Sequence, residues 1–301
     1  MLADITDPKI IELGGKGYSL CLLWRSNFSV PEAFVIPASV FSRFLVNNSL
    51  LKEFQYFSSH KDLKGTEDFT NSILSAEVPR DIADEIRDKL SLLDVGFVAI
   101  RSSAIGEDSV KASYAGIHDT FLNVPTRLDP IIEGIKRCWA SAFSSRAILY
   151  RKALSLPSFE GIAVIVQKMV ASEISGITFT VNPLDNQSLL IEASIGLGDL
   201  VVGGEVQPDD FTVDRKTLEI TTKKTEAKTQ KAQHRGARPT TRRPEPSLES
   251  KQVLADTKIE ELARICMKVE NLFQYPQDIE WCIEQGKIWL LQARPISCVR
   301  T

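Results

Sequence analysis

Two segments near the carboxyl-terminal end of the chain carry acids, an amide and an arginine at alternate positions. Asp278 and Glu280 lie two residues apart, and so do Gln292 and Arg294. Since successive side chains of a strand point to opposite faces, each pair shares one face if the two segments form a β-hairpin. Carboxylate and amide oxygens suit Mg²⁺, and an arginine suits the phosphates that the ion bridges.

The loop of this hairpin decides whether the two pairs lie on the same face. A three-residue loop over 284–286, with Gly286 left-handed, brings the polar side chains together, whereas a two-residue loop separates them. The first case predicts that Glu280 and Gln292 bind Mg²⁺ beside Arg294. The alternative is a solvated polar face above packed apolar residues, as in other amphipathic hairpins.

A second candidate site lies near the amino-terminal end, where a glycine-rich segment precedes a predicted helix. Residues 14–17 read Gly-Gly-Lys-Gly, and the helix is predicted over about 17–24. The amides of this segment and the ammonium of Lys16 would face a phosphate at the positive end of the helix. The spacing excludes a Walker A loop, whose first glycine would fall at Ile10. A plain turn with a solvated lysine is the alternative.

Three more polar residues lie at or near the ends of apolar segments that read as strands. Arg101 ends a strand predicted over 96–101 and would clamp a phosphate bidentately. Gln167 lies near the end of the strand 162–169 and would hydrogen-bond an adenine edge, while Glu192 would bind nucleotide or metal. Each is also consistent with an ordinary polar residue beside a turn, so the residues alone leave both interpretations open.

The elements that must position these residues mix helices and strands. Ile82, Ile86 and Leu90 follow one helical stripe, and Pro79 suits the first turn of that helix. Residues 223–250 contain eight Lys or Arg, three Glu and three Pro, which predicts a disordered insertion. Helices are predicted over 17–24, 38–47, 79–93, 128–143, 144–154 and 259–272, and strands over 33–36, 96–101, 162–169, 176–181, 189–193, 211–214 and within the hairpin 278–292.

Composition limits the classes of function. With 301 residues, 43% of them hydrophobic, the chain is long enough to bury one large core or two lobes. Outside 223–250 it holds 28 basic and 36 acidic residues, a net charge of about −8, which argues against nucleic acid as the main partner.

The five cysteines form no metal or disulfide pattern. The absence of a long apolar run or a secretory leader predicts a cytoplasmic protein without a membrane partner.

Taken in order, the motifs resemble the ATP-grasp domain shared by phosphoenolpyruvate synthase, pyruvate phosphate dikinase and rifampicin phosphotransferase. The resemblance runs over nearly the whole chain and is specific, because many separate motifs recur in one order. The matching segments are Gly14–Gly17, Val30–Ile36, Arg101–Ala104, Glu107–Asp108, Ser113–Gly116, Asp119–Val124, Val166–Val170, Ser175–Gly176, Glu192, Gly196–Gly198, Pro276–Trp281 and Leu291–Ile296.

This resemblance implies a fold, cofactors and a set of site residues. It implies an α+β, ATP-grasp-like unit over 1–301 in which two lobes, roughly 1–180 and 181–301, enclose a nucleotide cleft. It also implies ATP and Mg²⁺ as cofactors. The implied assignments are phosphate contacts from Lys16, Arg101 and Arg294, with both arginines catalytic, a nucleotide pocket with Gln167 and Glu192, and Mg²⁺ held by Glu280 and Gln292.

The function implied by the resemblance is ATP-dependent phosphoryl transfer. In dikinase-like relatives the acceptor is a histidine on a separate swivelling domain. None of His60, His118 and His234 lies in the Thr-Ser-His-Ala setting of that domain, so we expect the carrier on another domain or protein. Two alternatives stay open: a stand-alone kinase that phosphorylates a small molecule directly, and a nucleotide-binding regulatory subunit without catalysis.

Overall fold

The chain folds into two compact units. The computed structural model describes residues 1–60, 63–106, 117, 119–196, 207–225 and 252–296. The first unit comprises residues 1–27 and 31–169, and the second comprises 28–30 and the residues from 170 onward. The division therefore falls between Met169 and Val170, somewhat before residue 180. Both units contain helices and strands, which confirms the predicted α+β class.

The first unit is a four-stranded antiparallel sheet with helices. Its helices are α1 (Ile10–Arg25), α2 (Ala38–Asn47), α3 (Leu51–Ser59), α4 (Thr66–Ser75), α5 (Arg80–Ser91), α6 (Leu128–Ser141) and α7 (Ser145–Ala153), after a 3-10 turn at Leu2–Asp4. Its strands are β1 (Ala33–Ile36), β2 (Phe97–Ala104), β3 (Thr120–Pro125) and β4 (Ile162–Lys168), in the order β1-β4-β2-β3. The predicted bounds of β1 and α2 are confirmed, whereas α3, α4 and β3 were not predicted.

One face of this sheet packs on the apolar core of the first unit. Val98 and Ile100 of β2 and Val164 of β4 point to that face and are fully buried. Trp139 of α6 packs against two phenylalanine rings of α2, with centroid distances of 5.2 and 4.8 Å. Because side chains alternate along β2, Arg101 lies on the opposite face of the sheet, away from this core.

The second unit is a six-stranded antiparallel sheet with one long helix in the described ranges. The strands are β5 (Ile174–Phe179), β6 (Ser188–Ile195), β7 (Asp209–Asp214), β8 (Ile220–Lys224), β9 (Gln277–Glu284) and β10 (Lys287–Pro295), and the helix is α8 (Asp256–Phe273). The strand order is β10-β9-β5-β6-β7-β8. Phe211, Ile279 and Trp281 are fully buried on one face, where the Trp281 indole donates to Thr178 Oγ1 at 2.9 Å. The polar candidates of this unit lie on the other face.

Four cysteines are free and buried in the described part of the chain. Burial raises the pKa of the Cys266 and Cys282 thiols to about 12, so both stay protonated near neutral pH and are poor nucleophiles. No helix in the described ranges combines the length and the apolar character that a membrane crossing requires.

The first residues of the predicted insertion belong to a strand. Lys223 and Lys224 belong to β8 and pair with β7, so the segment 223–250 was placed too early at its first end. Residues 226–251 lie outside the described residues. Next to them, Asp256 Oδ1 accepts hydrogen bonds from Lys223 Nζ at 2.5 Å and Gln252 Nε2 at 2.8 Å. These contacts connect the chain before the segment with the chain after it.

Replacing 226–251 with a short Gly/Ser linker should change the melting temperature little. The segment offers few apolar side chains, and each halving of a loop changes its closure free energy by only about 0.6 kcal/mol. A replacement that begins at Lys223 should destabilise the protein more, since it removes the contact with Asp256 and shortens β8. Thermal unfolding followed by circular dichroism compares the two variants. A large loss in the first variant would show that 226–251 contributes to the core.

Candidate nucleotide-binding site

The β9–β10 hairpin has a two-residue loop. Glu284 pairs with Lys287, which leaves Gln285 and Gly286 as the loop, with φ values of 50° and 75°. Two successive positive φ values are typical of a type I′ turn, whose twist matches that of the flanking strands. Of the two loops that the sequence left open, the structure therefore has the two-residue one and not the three-residue loop over 284–286. A two-residue loop alone would place the two polar pairs on opposite faces of the hairpin.

A β-bulge in β10 reverses that outcome. Leu290 pairs with Trp281, whereas Gln292 pairs with Glu280, so Leu291 is an extra residue in the ladder. One extra residue shifts the alternation by one position and turns all later side chains to the other face. Gln292 and Arg294 therefore lie on the face of Glu280 and Asp278, as the paired strands require. The predicted face exists, but the bulge creates it.

The same face continues as a row of side chains across the sheet. Residues directly opposite each other on neighbouring strands share a face. Gln292 lies opposite Glu280, Glu280 opposite Ile177, Ile177 opposite Glu192, and Glu192 opposite Asp210. Three of the predicted residues are thus brought into one row that spans β10, β9, β5, β6 and β7.

Asp210 belongs to this row, and sequence reasoning missed it. Its neighbour Asp209 is buried and accepts a hydrogen bond from the Val253 amide at 2.8 Å, which is a structural contact. Asp210 points the opposite way and lies 4.0 Å from the Lys224 ammonium. Alternation with the buried Phe211 and Val213 is the signal that separates the two acids, because Asp209 shares their face and Asp210 does not.

The carboxylates of this face perturb one another. Burial raises the pKa of Glu192 above its ordinary value, and the charges of Asp210 and Asp278 raise it further. Burial also raises the pKa of Asp278, with Arg294 opposing that shift and Glu280 adding to it. Like charges held close together in a partly desolvated place are stabilised by a cation. The face therefore favours a positively charged ligand.

Asp278 holds Arg294 in place. The Arg294 guanidinium donates from Nε at 2.8 Å and from Nη2 at 2.7 Å, both to Asp278 Oδ2. The side chains are 17% and 8% exposed, so water screens this pair weakly. The other oxygen, Oδ1, is buried and has no hydrogen-bond partner among the described residues. The ion pair thus holds the Arg294 guanidinium beside the row that contains Glu280 and Gln292.

The glycine-rich segment of the first unit lies inside a helix. In α1 two helical stretches meet at a kink at Gly14, where φ is 66° and ψ is 178°; one stretch begins already at Ile10, and the other follows Gly14, slightly before the predicted start near Gly17. A Cβ at Gly14 would lie 2.0 Å from the Ser103 carbonyl oxygen, so only glycine fits. The Lys16 ammonium donates to the Ser102 carbonyl at 3.3 Å. The break therefore places Lys16 at the end of β2.

Arg101 and Gln167 are neighbours on the face of the first sheet that lies opposite its core. Gln167 pairs with Ala99 across the β2–β4 ladder, and its Oε1 accepts a hydrogen bond from Arg101 Nη1 at 3.4 Å. Gln167 is 2% exposed, yet its Nε2 has no hydrogen-bond partner among the described residues. A buried amide group without a hydrogen-bond partner lowers the stability of the folded protein, because its lost hydration is not replaced. A ligand acceptor on this face would satisfy it.

The structure thus gathers the predicted residues in two sets. In the first unit, Lys16 reaches the carbonyl of Ser102, the residue after Arg101, and Arg101 contacts Gln167. In the second unit, Glu192, Glu280, Gln292 and Arg294 share a face. The described residues contain no group of three or more His, Cys, Asp or Glu side chains that could hold a metal ion by themselves. His118, His234 and the segment Ser113–Gly116 lie outside the described residues.

Known proteins resemble this chain over nearly its full length. Residues 10–301 match the family model for the pyruvate phosphate dikinase AMP/ATP-binding domain. A probable phosphoenolpyruvate synthase of Methanocaldococcus jannaschii is 36% identical over 99% of this chain and 26% of its own length. The rifampicin phosphotransferase of Bacillus cereus is 34% identical over 98% of this chain and 35% of its own length. The chain thus spans between a quarter and about a third of these two relatives.

Similarity to solved structures is lower. The D-alanine-D-alanine ligase of Coxiella burnetii aligns with 95% of this chain and 47% of its own at 9% identity, with a TM-score of 0.35. The assignment rests instead on the family match, which confirms the resemblance drawn from the motifs. The chain belongs to the pyruvate phosphate dikinase AMP/ATP-binding domain family.

Proposed function

We propose that this chain binds Mg-ATP and passes a phosphoryl group to a histidine carried by another domain or protein. The observation that supports this most directly is the row in which Glu280, Gln292 and Glu192 share a face. Arg294 lies on the same face, two residues after Gln292 on β10. Membership of an AMP/ATP-binding family supports a nucleotide as the ligand of that polar face. Phosphoryl transfer needs positioning and charge neutralisation more than covalent chemistry from the protein, and these residues supply both.

Glu280 and Gln292 are the residues that would hold the metal ion. They lie directly opposite each other and offer a carboxylate and an amide oxygen, the hard ligands that Mg²⁺ accepts. Since the described residues hold no complete metal cluster, the remaining ligands would come from nucleotide phosphates and water, as is usual for Mg²⁺. When bound, the ion neutralises phosphate charge and orients the phosphates. Arg294, fixed by Asp278, would add positive charge at the transferring group.

Within the first unit, two cations and one amide have the chemistry of nucleotide contacts. The Lys16 ammonium lies at the end of β2, and the Arg101 guanidinium lies on that strand, so both suit a polyphosphate. The buried Gln167 amide donates without an acceptor among the described residues, which fits an adenine nitrogen or another ligand acceptor. Glu192 has a raised pKa and lies in the row of the second unit, where it would contact the nucleotide or its metal ion.

The phosphoryl acceptor is proposed to lie on another domain or protein, since none of His60, His118 and His234 lies in a Thr-Ser-His-Ala setting. His60, the one histidine within the described ranges, is stacked on Tyr56 at 4.6 Å, and its Nδ1 lies 3.1 Å from the Tyr56 carbonyl oxygen. That contact ties the ring to its own helix and does not resemble a presented acceptor. The similar proteins are named phosphoenolpyruvate synthase and rifampicin phosphotransferase and are about three to four times longer than the matched part. A separate carrier is consistent with that difference in length.

Nucleotide product analysis tests the proposal. The chain is incubated with Mg²⁺ and ATP labelled in the β or the γ phosphate, alone and with a histidine-bearing carrier domain of the dikinase type. We expect the β label on the carrier, the γ label in inorganic phosphate after hydrolysis by one water molecule, and AMP rather than ADP as the nucleotide product, only when both proteins are present. ADP formed without a carrier would favour direct phosphorylation of a small molecule. No product, together with an ATP-dependent rise in melting temperature, would favour a regulatory nucleotide-binding subunit.

A further inference from the structure

The hydroxyl of Ser103 is built into the backbone ladder of α1. In an uninterrupted α-helix the Gly17 amide would donate to the Leu13 carbonyl, four residues earlier. Here the Gly17 amide donates to Ser103 Oγ at 2.9 Å, and the same hydroxyl donates to the Leu13 carbonyl at 2.7 Å. A side chain from β2 therefore replaces one helical hydrogen bond. Insertion of this kind is a recognised cause of helix kinks.

Close packing supports this insertion. Ser103 is fully buried at the end of β2. A Cβ at Gly14 would lie 2.0 Å from the Ser103 carbonyl oxygen and 2.4 Å from its Oγ. The break in α1 and the approach of Ser103 thus occur at the same place and require each other. Gly14 permits the approach, and the Ser103 hydroxyl satisfies the two backbone groups that the break separates.

The two hydrogen bonds of the Ser103 hydroxyl flank a segment of only three residues, and Lys16 is one of them. Between Leu13 and Gly17 the chain holds Gly14, Gly15 and Lys16. Two glycines in three positions allow many backbone conformations, so the segment has little intrinsic preference for one of them. The two hydrogen bonds to Ser103 fix both ends of the segment, and the Lys16 ammonium lies 3.3 Å from the Ser102 carbonyl, one residue away.

We propose that Ser103 is a positioning residue for Lys16, because its hydroxyl fixes the broken turn of α1 from which the ammonium reaches its ligand. The inference rests on the proposed function, since it takes Lys16 as a phosphate-binding group. Ser103 itself does not touch the nucleotide in this proposal. Without its hydroxyl, the Gly17 amide and the Leu13 carbonyl would re-form their own bond or turn to water, and either change would move Lys16.

Three variants test the inference: Ser103→Ala, Lys16→Ala and the double variant. Their dissociation constants for Mg-ATP are measured by isothermal titration calorimetry, beside the rate of transfer to the carrier domain. We expect each single variant to bind ATP about tenfold or more weakly, because a charged hydrogen bond to phosphate is lost or misplaced. The double variant should be no weaker than Lys16→Ala, because the two residues act as one unit.

Ser58→Ala is the matched control, since Ser58 is also buried in the first unit but its Oγ has no hydrogen-bond partner among the described residues. Hydrogen exchange adds a readout that does not depend on activity. In Ser103→Ala, the Gly17 amide should exchange faster, while the amides of α1 after Cys21 keep their protection.

The results separate failure of the inference from failure of the proposed function. Wild-type affinity and Gly17 protection in Ser103→Ala, with weakened binding in Lys16→Ala, would overturn the positioning of Lys16 alone. Losses that multiply in the double variant would do the same, because the residues would then act independently. Wild-type affinity in Lys16→Ala would remove Lys16 from the nucleotide site and overturn both proposals for it.

Discussion

Glu280→Gln should lower the rate of phosphoryl transfer at least about 100-fold with little change in stability. Glu280 is half-buried and lies in the carboxylate row, so the substitution removes the negative charge that would attract Mg²⁺. The shape of the side chain and one oxygen are kept. Because Glu280 also raises the pKa of Asp278, its neutralisation relieves repulsion within the face. The initial rate of carrier labelling and the melting temperature measure the two effects.

Glu284→Gln is the control for this substitution. Glu284 lies on the same strand and the same face, but near the hairpin loop, where its Oε1 accepts a hydrogen bond from the Ala171 amide at 2.8 Å. A glutamine keeps an oxygen acceptor for that amide, so transfer should continue at the wild-type rate. Equal rates for Glu280→Gln and wild type would remove Glu280 from the metal site. Equal losses in both variants would point to the charge of the whole face instead.

Arg294→Ala should abolish measurable transfer and also destabilise the second unit. The guanidinium is the partner of Asp278, whose side chain is 8% exposed. Removal of one member of a buried ion pair leaves an uncompensated charge, which costs about 3–5 kcal/mol in comparable sites. Asp278 can take up a proton in response, since burial already raises its pKa. The free energy of unfolding from denaturant titration and the rate of carrier labelling measure stability and activity separately.

A second substitution distinguishes these two losses. The double variant Arg294→Ala/Asp278→Asn lacks the unpaired carboxylate, so it should recover much of the free energy of unfolding that Arg294→Ala loses. Transfer should stay absent, because no cation has been restored at the phosphates. Recovery of transfer together with stability would mean that Arg294 acts only through the fold. An Arg294→Ala protein with wild-type stability would contradict the close pairing seen with Asp278.

Local pattern is sufficient for several elements of this fold. Phe41, Phe44 and Leu45 repeat at helical spacing in α2, and all are fully buried, so the predicted bounds of that helix hold. The apolar runs of β1 and β4 predict buried strands for the same reason. By contrast, β3 has no fully buried residue and contains Asn123 at a φ of 57°. Its pairing with β2 fixes it as a strand, and its own residues do not.

The candidate site divides in a similar way. Residue types and order predict Lys16, Arg101, Glu280, Gln292 and Arg294 as candidates, because the suitability of cations and oxygen ligands for a magnesium nucleotide follows from side-chain chemistry. The place of Asp210 in the row depends on which face of β7 meets the core. That choice is made by packing between strands that are distant in sequence.

By itself, the sequence determined the family, the α+β class and the residue types that would meet a magnesium nucleotide. Only the tertiary structure decided how these residues are oriented. The extra residue Leu291 in β10 turns Gln292 and Arg294 to the face of Glu280, after a loop that alone would have turned them away. The hydroxyl of Ser103 breaks α1 at Gly14 and places Lys16. Both depend on contacts between distant segments, and a periodic pattern in one segment carries no information about such contacts.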